Sequence, residues 1–344
     1  MNGYTMPAEW EKHMGTVTTY PHSYENFFDR LEQARETFVK MVAVISQSEN
    51  VFINVNSEED RRDLIDRLNA VTNAKKENVH IFINETDDVW CRDYCPVFVK
   101  DSKGETVALK FRFNAWGEKY PYEKDQKAGE KIPQFLGIKR IDVNMVLEGG
   151  SIEVNGKGVL ITTESCLLNK NRNPQMSREE IEQNLKKYLG VEKILWLKEG
   201  ILGDDTDGHV DDITRFVKYD TVVTAIEKDK NDPNYEPLME NFERLKKFTN
   251  TDGKPLRIIT LPMPQPVYYQ YPDSNVPQRL PASYANFYIT NRHVIVPTFN
   301  CKNDEIALQI LQRLFPERKV VGIYAYDILV GLGGFHCLTM QVPQ

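Results

Sequence analysis

No apolar run in this sequence approaches the ~20 residues that a bilayer-spanning helix requires. The longest, such as Val51 to Val55 and Val294 to Pro297, fall far short, so no membrane span is expected. The first ten residues, Met1 to Trp10, have neither the basic start nor the apolar stretch of a secretory leader, which argues against export. Positive charge is also short: 43 Lys plus Arg against 50 Asp plus Glu leave a net charge of −7. That balance argues against general nucleic-acid binding, which needs clustered cations. Cysteine is sparse, with five residues (Cys91, Cys95, Cys166, Cys301, Cys337) scattered through a chain long enough to bury a core without staples. Reduced thiols in a cytoplasmic protein are expected. With only 19 Gly and 18 Pro in 344 residues, 41% hydrophobic and 27% charged, neither a collagenous nor a disordered chain fits.

What is present is an alternation of strand and helix, an α/β pattern, from end to end. Phe27, Leu31, Ala34, Phe38, Met41 and Ile45 recur at helical spacing and predict one amphipathic helix over Tyr24 to Gln47. A strand, Val51 to Val55, precedes Ser57 and three acids, an N-cap signal opening a helix to about Val71. Val79 to Ile83 reads as a strand, and Thr106 to Phe113 alternates as a half-buried strand should. Ser177 to Glu180 is a capping box before Ile181, Leu185 and Leu189. Helices over Tyr235 to Phe248 and Asp304 to Phe315 lead into β-branched runs, Leu256 to Leu261 and Lys319 to Ile323. Helical patterns return every 50 to 60 residues or so, which hints at a repeated β-α-β unit. Pro262 to Pro281 reads as a long surface loop, and nothing divides the chain, so a single domain over 1–344 is expected.

Four segments place polar residues where apolar or glycine-rich strand ends would otherwise run. Trp90-Cys91-Arg92-Asp93-Tyr94-Cys95-Pro96 sets an Arg-Asp pair between aromatics, which by itself suits a structural ion pair as well as a site. Glu148-Gly149-Gly150-Ser151 puts an acid beside glycines that allow close backbone approach, or simply a tight turn. In Asp207-Gly208-His209-Val210-Asp211, His209 and Asp211 are two apart, which on an extended segment turns both to one face. A His among carboxylates suits general acid/base work or a metal; the lack of further His or Cys at ligand spacing favours the former. In Gly331-Leu332-Gly333-Gly334-Phe335-His336-Cys337, the glycines come too near the end of the chain to open a phosphate-binding helix. They suit a thiol nucleophile at a strand end; the plain alternative is a buried small hydrophobe.

Taken together these segments resemble the agmatine deiminases, of the guanidine-group-modifying superfamily and close to the bacterial peptidylarginine deiminases. The resemblance runs nearly end to end, through Met6-Pro7-Ala8-Glu9-Trp10, Tyr20-Pro21-His22, Trp90 with Arg92-Asp93, and Phe113-Asn114-Ala115-Trp116-Gly117. It continues through Glu148 to Ser151, Asn171-Arg172-Asn173-Pro174, Thr206 to Asp211, Ser283 to Tyr288, and His336-Cys337-Leu338-Thr339. It implies a five-bladed α/β propeller with pseudo-fivefold symmetry and a cleft at its centre. It also implies Cys337 as nucleophile, His209 as general acid/base, Asp93 and Asp211 as a guanidinium clamp, and Glu148 as the acid that holds His209. No cofactor and no metal are implied. The expected partner is a small guanidinium substrate, agmatine, used in putrescine and polyamine metabolism, with no nucleic acid or membrane and a possible homo-oligomer. Trp90 and Trp116 are expected to line the alkyl arm or stack on the guanidinium.

Some positions depart from the family pattern. Glu153 and Asn155 stand where many members have His and Asp, Cys91 and Cys95 flank the Arg-Asp pair, and Met340 replaces a frequent Gln. They leave two alternatives to agmatine deimination. One is deimination of free or peptide C-terminal arginine, for which Arg112 or Arg279 would pair the α-carboxylate. The other is a non-catalytic guanidinium-binding relative.

Overall fold

The computed structural model describes residues 3–344, so the first two residues of the stretch read for a leader lie outside it. Its core is a set of sheets of one design. In each, a strand runs antiparallel to the next, and a helix crosses from that second strand to a third that lies parallel to it.

Four of these units follow one another. The first joins Val97–Lys100, Thr106–Arg112, the helix Glu123–Leu136 and Lys139–Val146. The next has Glu153–Val154, Val159–Thr163, Arg178–Leu189 and Lys193–Leu197. Then come Thr214–Lys218, Thr221–Ile226, Tyr235–Leu245 and Arg257–Pro262, and finally Tyr288–Ile289, His293–Thr298, Asn303–Leu314 and Lys319–Tyr324. A fifth unit is assembled from both ends of the chain: Thr339–Pro343 pairs antiparallel with His13–Thr19, which runs parallel to Asn50–Val55 after the helix Leu31–Ile45. That sheet carries a further parallel strand, Val79–Ile83, beyond the helix Glu58–Ala70.

Local chemistry accounts for the helix bounds. Ser57 accepts from Asp60 N ahead of three first-turn acids, and Ser177 and Glu180 close a capping box while Gly190, at φ 69°, ends that helix left-handed. The expected Tyr24–Gln47 helix is broken. A turn at Tyr24–Phe27 and a 3-10 turn at Phe28–Arg30 precede Leu31–Ile45. Phe28, at φ 51°, redirects the chain and packs its ring on Tyr269 and Tyr271, a tertiary contact that outweighs helical propensity.

The expected half-buried strand Thr106–Arg112 is buried on both faces through its middle, because it is the central strand of its sheet. Lys110 is accommodated there by donating to Phe111 O and Gln126 Oε1. The stretch read as a surface loop, Pro262 to Pro281, is instead anchored. It forms a short hairpin, Tyr268–Tyr269 with Gln278–Arg279, and buries Tyr269, Tyr271 and Leu280. Among the described residues no helix is long and apolar enough to cross a membrane.

Candidate functional site

The residues singled out in the sequence arrive from equivalent places: the connection that ends one unit and opens the next. Asp93 lies on the turn Cys91–Tyr94, just before Val97–Lys100. Glu148 precedes the turn Gly149–Ser151 that leads into Glu153–Val154. His209 and Asp211 sit at the turn Val210–Asp212, ahead of Thr214–Lys218, and Cys337 comes just before Thr339–Pro343. The remaining connection, before Tyr288–Ile289, supplies Asn286, which the sequence reading quoted within a motif but assigned no role.

Gly150 shows the convergence. A Cβ built there would lie 2.5 Å from His209 Nδ1, 3.0 Å from Asp93 Oδ1 and 3.1 Å from Asp211 Oδ2. Glycine is required at that point because any side chain would occupy the space these groups share. His209 and Asp211 meet through the 3-10 turn, not by sharing a face of an extended segment as the spacing suggested.

Asp93 is held as an acceptor by Gly150 N at 2.9 Å and by the Trp116 indole N–H at 3.0 Å. Trp116 therefore orients a carboxylate as well as lining the cavity. Burial, with Asp211 and Glu148 adding negative charge and His209 opposing, pushes the Asp93 carboxyl up to about 6. Arg92 does not pair with its neighbour; it turns away to Gln341 Oε1 at 2.6 Å and His336 O at 3.2 Å.

Burial pulls the His209 imidazole down, but Asp93, 3.8 Å away, and then Cys166 outweigh it and leave it well above the usual range. Neither His209 ring nitrogen has a hydrogen-bond partner. Glu148 does not hold it as expected. Its Oε1 accepts from Arg172 Nε at 2.6 Å, and Oε2 is buried without a partner. Arg172 captures the acid because its fork also bridges Asp207 Oδ2 and Thr206 O, tying together the loop that leads to His209. In the sequence Arg172 stands out only as part of the family motif Asn171-Arg172-Asn173-Pro174.

Cys337 Sγ receives Asn286 Nδ2 at 3.0 Å and lies 3.8 Å from Asp211 Oδ2. Burial, then Asp211, Asp212 and Asp93, hold its thiol well above the ordinary value. Asp211, by contrast, stays low: burial raises it, but a hydrogen bond and charge from His336, then His209, more than compensate. Two groups bring metal-type donors together, Glu148 with Cys166 and His209, and Asp211 with Asp212 and Cys337, each within 4.8 Å. Glu148, Asp211 and Cys337 also bond to Arg172, His336 and Asn286, while Glu148 Oε2, Asp211 Oδ1 and both His209 nitrogens have no partner.

A cavity of about 390 Å³ opens onto Cys337 and Asp93. Trp90, Trp116, Tyr120 and Tyr271 wall it, and Glu25, Asp88, Asp205 and Asp273 add acidic groups. Among the described residues that line it there is no Lys or Arg. Arg279, offered above for a carboxylate, is instead paired with Asp232 at 2.7 Å, and Arg112 does not reach the lining. Trp90 packs beneath the glycine loop: a Cβ on Gly333 would come within 2.4 Å of its ring. A wider opening of about 760 Å³, near Trp10, Tyr219 and Arg318, includes none of the converging groups.

The family profile of Porphyromonas-type peptidyl-arginine deiminase matches residues 5–343. The chain belongs to that family. An agmatine deiminase of Ectopseudomonas mendocina is 36% identical over 99% of this chain and 96% of its own length. Among solved structures, agmatine deiminase of Enterococcus faecalis superposes with a TM-score of 0.92 at 33% identity, covering 99% of this chain and 96% of that one. A substrate-bound C. jejuni agmatine deiminase in which a Cys is replaced by Ser gives 0.89 at 32%, with the same coverage.

Proposed function

We propose that this family member, an enzyme acting on a guanidino C–N bond, hydrolyses agmatine to N-carbamoylputrescine and ammonia. The observation that carries the substrate reading is the lining of the cavity: a thiol at its base, carboxylates around it and no cation along its walls. A guanidinium offers paired N–H groups to carboxylates, and the Asp211 oxygen left without a partner, Oδ1, is free to accept one. The ammonium of agmatine meets an acidic wall, whereas the α-carboxylate of arginine would stay unpaired there.

In the mechanism, Asp93 and Asp211 fix the guanidinium plane with its carbon toward Cys337. The substrate's positive charge offsets the carboxylates that hold the thiol high, so binding favours the thiolate, whose proton passes to solvent because His209 is already protonated, and Asn286 donates to the sulfur. Attack forms a C–S bond and a tetrahedral adduct. His209, charged at rest, protonates the departing nitrogen; ammonia leaves and a cationic amidino-thioether remains on Cys337. Neutral His209 then takes a proton from water, which attacks the same carbon, and collapse releases the urea product and the thiol. Glu148, tied to Arg172, lies with Cys166 near His209 and helps to fix the loop that carries it. The chemistry so written uses no cofactor.

The five like units and the pairing of strands from near both ends of the chain in one sheet support the reading of a single domain, a five-bladed propeller with the cleft at its centre, over the described residues. Ammonia release from agmatine and from arginine, measured side by side, tests the function. Agmatine should be turned over much faster. Comparable arginine turnover would overturn the substrate, and inertness toward both would favour the non-catalytic alternative.

A further inference from the structure

Asp211 sits on a short turn, and its side chain is fixed from another part of the chain. His336 Nδ1 lies 2.6 Å from Asp211 Oδ2, and the other ring nitrogen, Nε2, lies 2.7 Å from Glu9 Oε2. All three residues are buried, His336 at 1% exposure. Glu9 Oε2 also receives Arg215 Nη2 at 2.9 Å, with Arg92 Nη2 3.5 Å away, and its Oε1 takes Ile289 N. Arg215 in turn binds Glu153 Oε2 at 2.8 Å, the carboxylate that departs from the family pattern.

Carboxylates accept and do not donate when ionised, so two ionised carboxylates on one imidazole require both ring nitrogens to donate. The charged groups packed around this bridge are the carboxylates Glu9, Glu153 and Asp211 and the guanidinium groups of Arg92 and Arg215. Burial raises Glu9, but Arg215 and then His336 bring it well below the ordinary range, which keeps it an acceptor.

We propose that His336 is a positioning residue: by bridging Asp211 to Glu9 it aims the unpartnered Oδ1 of Asp211 at the guanidinium. This rests on the guanidinium-binding reading of Asp211 given above. His336 precedes the nucleophile in sequence, so one short segment, Phe335 to Cys337, supplies the attacking atom and aligns the acid opposite it.

The test compares alkylation of Cys337 by 2-chloroacetamidine, a cation, and by 2-chloroacetamide, its neutral counterpart, with the adduct located by peptide mass. The ratio of the two rates reads the carboxylate field at the thiol and is insensitive to a general loss of reactivity. In His336→Ala, Asp211 loses the hydrogen bond and charge that keep its carboxyl low and its Oδ1 aimed, so the ratio should fall about tenfold, the scale of one lost hydrogen bond to a charged group. An Asn amide can replace the Nδ1 donor toward Asp211, and a Gln amide the Nε2 donor toward Glu9. His336→Asn should therefore retain most of the ratio while His336→Gln behaves like His336→Ala. A merely structural His336 would make the Asn and Gln variants equivalent. Equal ratios in those two variants, or a wild-type ratio in all folded variants, overturns the proposal. Should His336→Ala not fold, the Asn and Gln pair decides alone. Agmatine turnover by the wild-type protein is read separately, so failure of the proposed function and failure of the bridge give different results.

Discussion

The indole N–H of Trp116 donates to one oxygen of Asp93 while Gly150 N donates to the other, so both donors hold that carboxylate in one plane. Trp116→Phe keeps the ring and removes the donor. Because a hydrogen bond to a charged group contributes about 1.5–3 kcal/mol, kcat/KM for agmatine should fall by about tenfold or more, with the melting temperature little changed. Steady-state kinetics beside a thermal melt checks it. Asp93→Asn retains the shape but loses the charge and faces two donors with an amide, and its rate should fall by orders of magnitude. The pH dependence follows from the same carboxyl, raised to about 6. Below that value it is protonated and cannot pair with a cation, so kcat/KM should decline as pH falls through about 6, independently of any acid unfolding followed by circular dichroism. A flat profile from pH 8 to about 5 would remove Asp93 from the clamp.

At the scale of elements, the connections carry the strain. Ala115, Trp116, Gly117 and Glu118 all have positive φ, from 48° to 99°, a costly run that keeps the Trp116 indole N–H directed at Asp93. Asn114 Oδ1 receives Gly117 N, and Asn171 packs so closely that a Cβ on Gly117 would lie 2.3 Å from its amide nitrogen. The turn Gly149–Ser151 is tight for a different reason, since its glycine leaves open the point on which three charged groups converge. Gly150→Ala should abolish turnover while Tm shifts by only a few degrees, because the added methyl meets His209, Asp93 and Asp211. Full activity in that variant would show that the three groups do not act at a common point. Neither turn is visible as periodicity. The helices at Glu58–Ala70 and Arg178–Leu189 were legible because caps and apolar spacing agree, whereas the break at Phe28 depends on Tyr269 and Tyr271, far along the chain.

For the molecule as a whole, the chain ends meet in one sheet, and Cys337 lies two residues before the strand that completes it. The net charge of −7 and a cavity lining with Glu25, Asp88, Asp205 and Asp273 but no Lys or Arg, although Lys119 pairs with Asp205 from outside it, produce a field that favours cations. kcat/KM for agmatine, a dication, should therefore fall as salt is raised from 0.02 to about 0.5 M, and more steeply than for n-butylguanidine, a monocation of similar length. Equal salt slopes would show that the cavity wall does not recognise the ammonium end.

The amino-acid sequence by itself determined the α/β alternation and most helix bounds, and its ordered motifs brought forward Cys337, His209, Asp93 and Asp211 as candidates, since capping, spacing and motifs are local properties of the chain. Tertiary structure alone decided which groups touch. Arg172 rather than His209 takes Glu148, Asn286 reaches Cys337, and His336 joins Asp211 to Glu9 across 327 positions of sequence. The members of these pairs come from separate connections or from opposite ends of the chain, and buried charges choose partners by the distance and burial that assembly creates. No local pattern encodes that choice, because the residues become neighbours only when the connections between units are brought together.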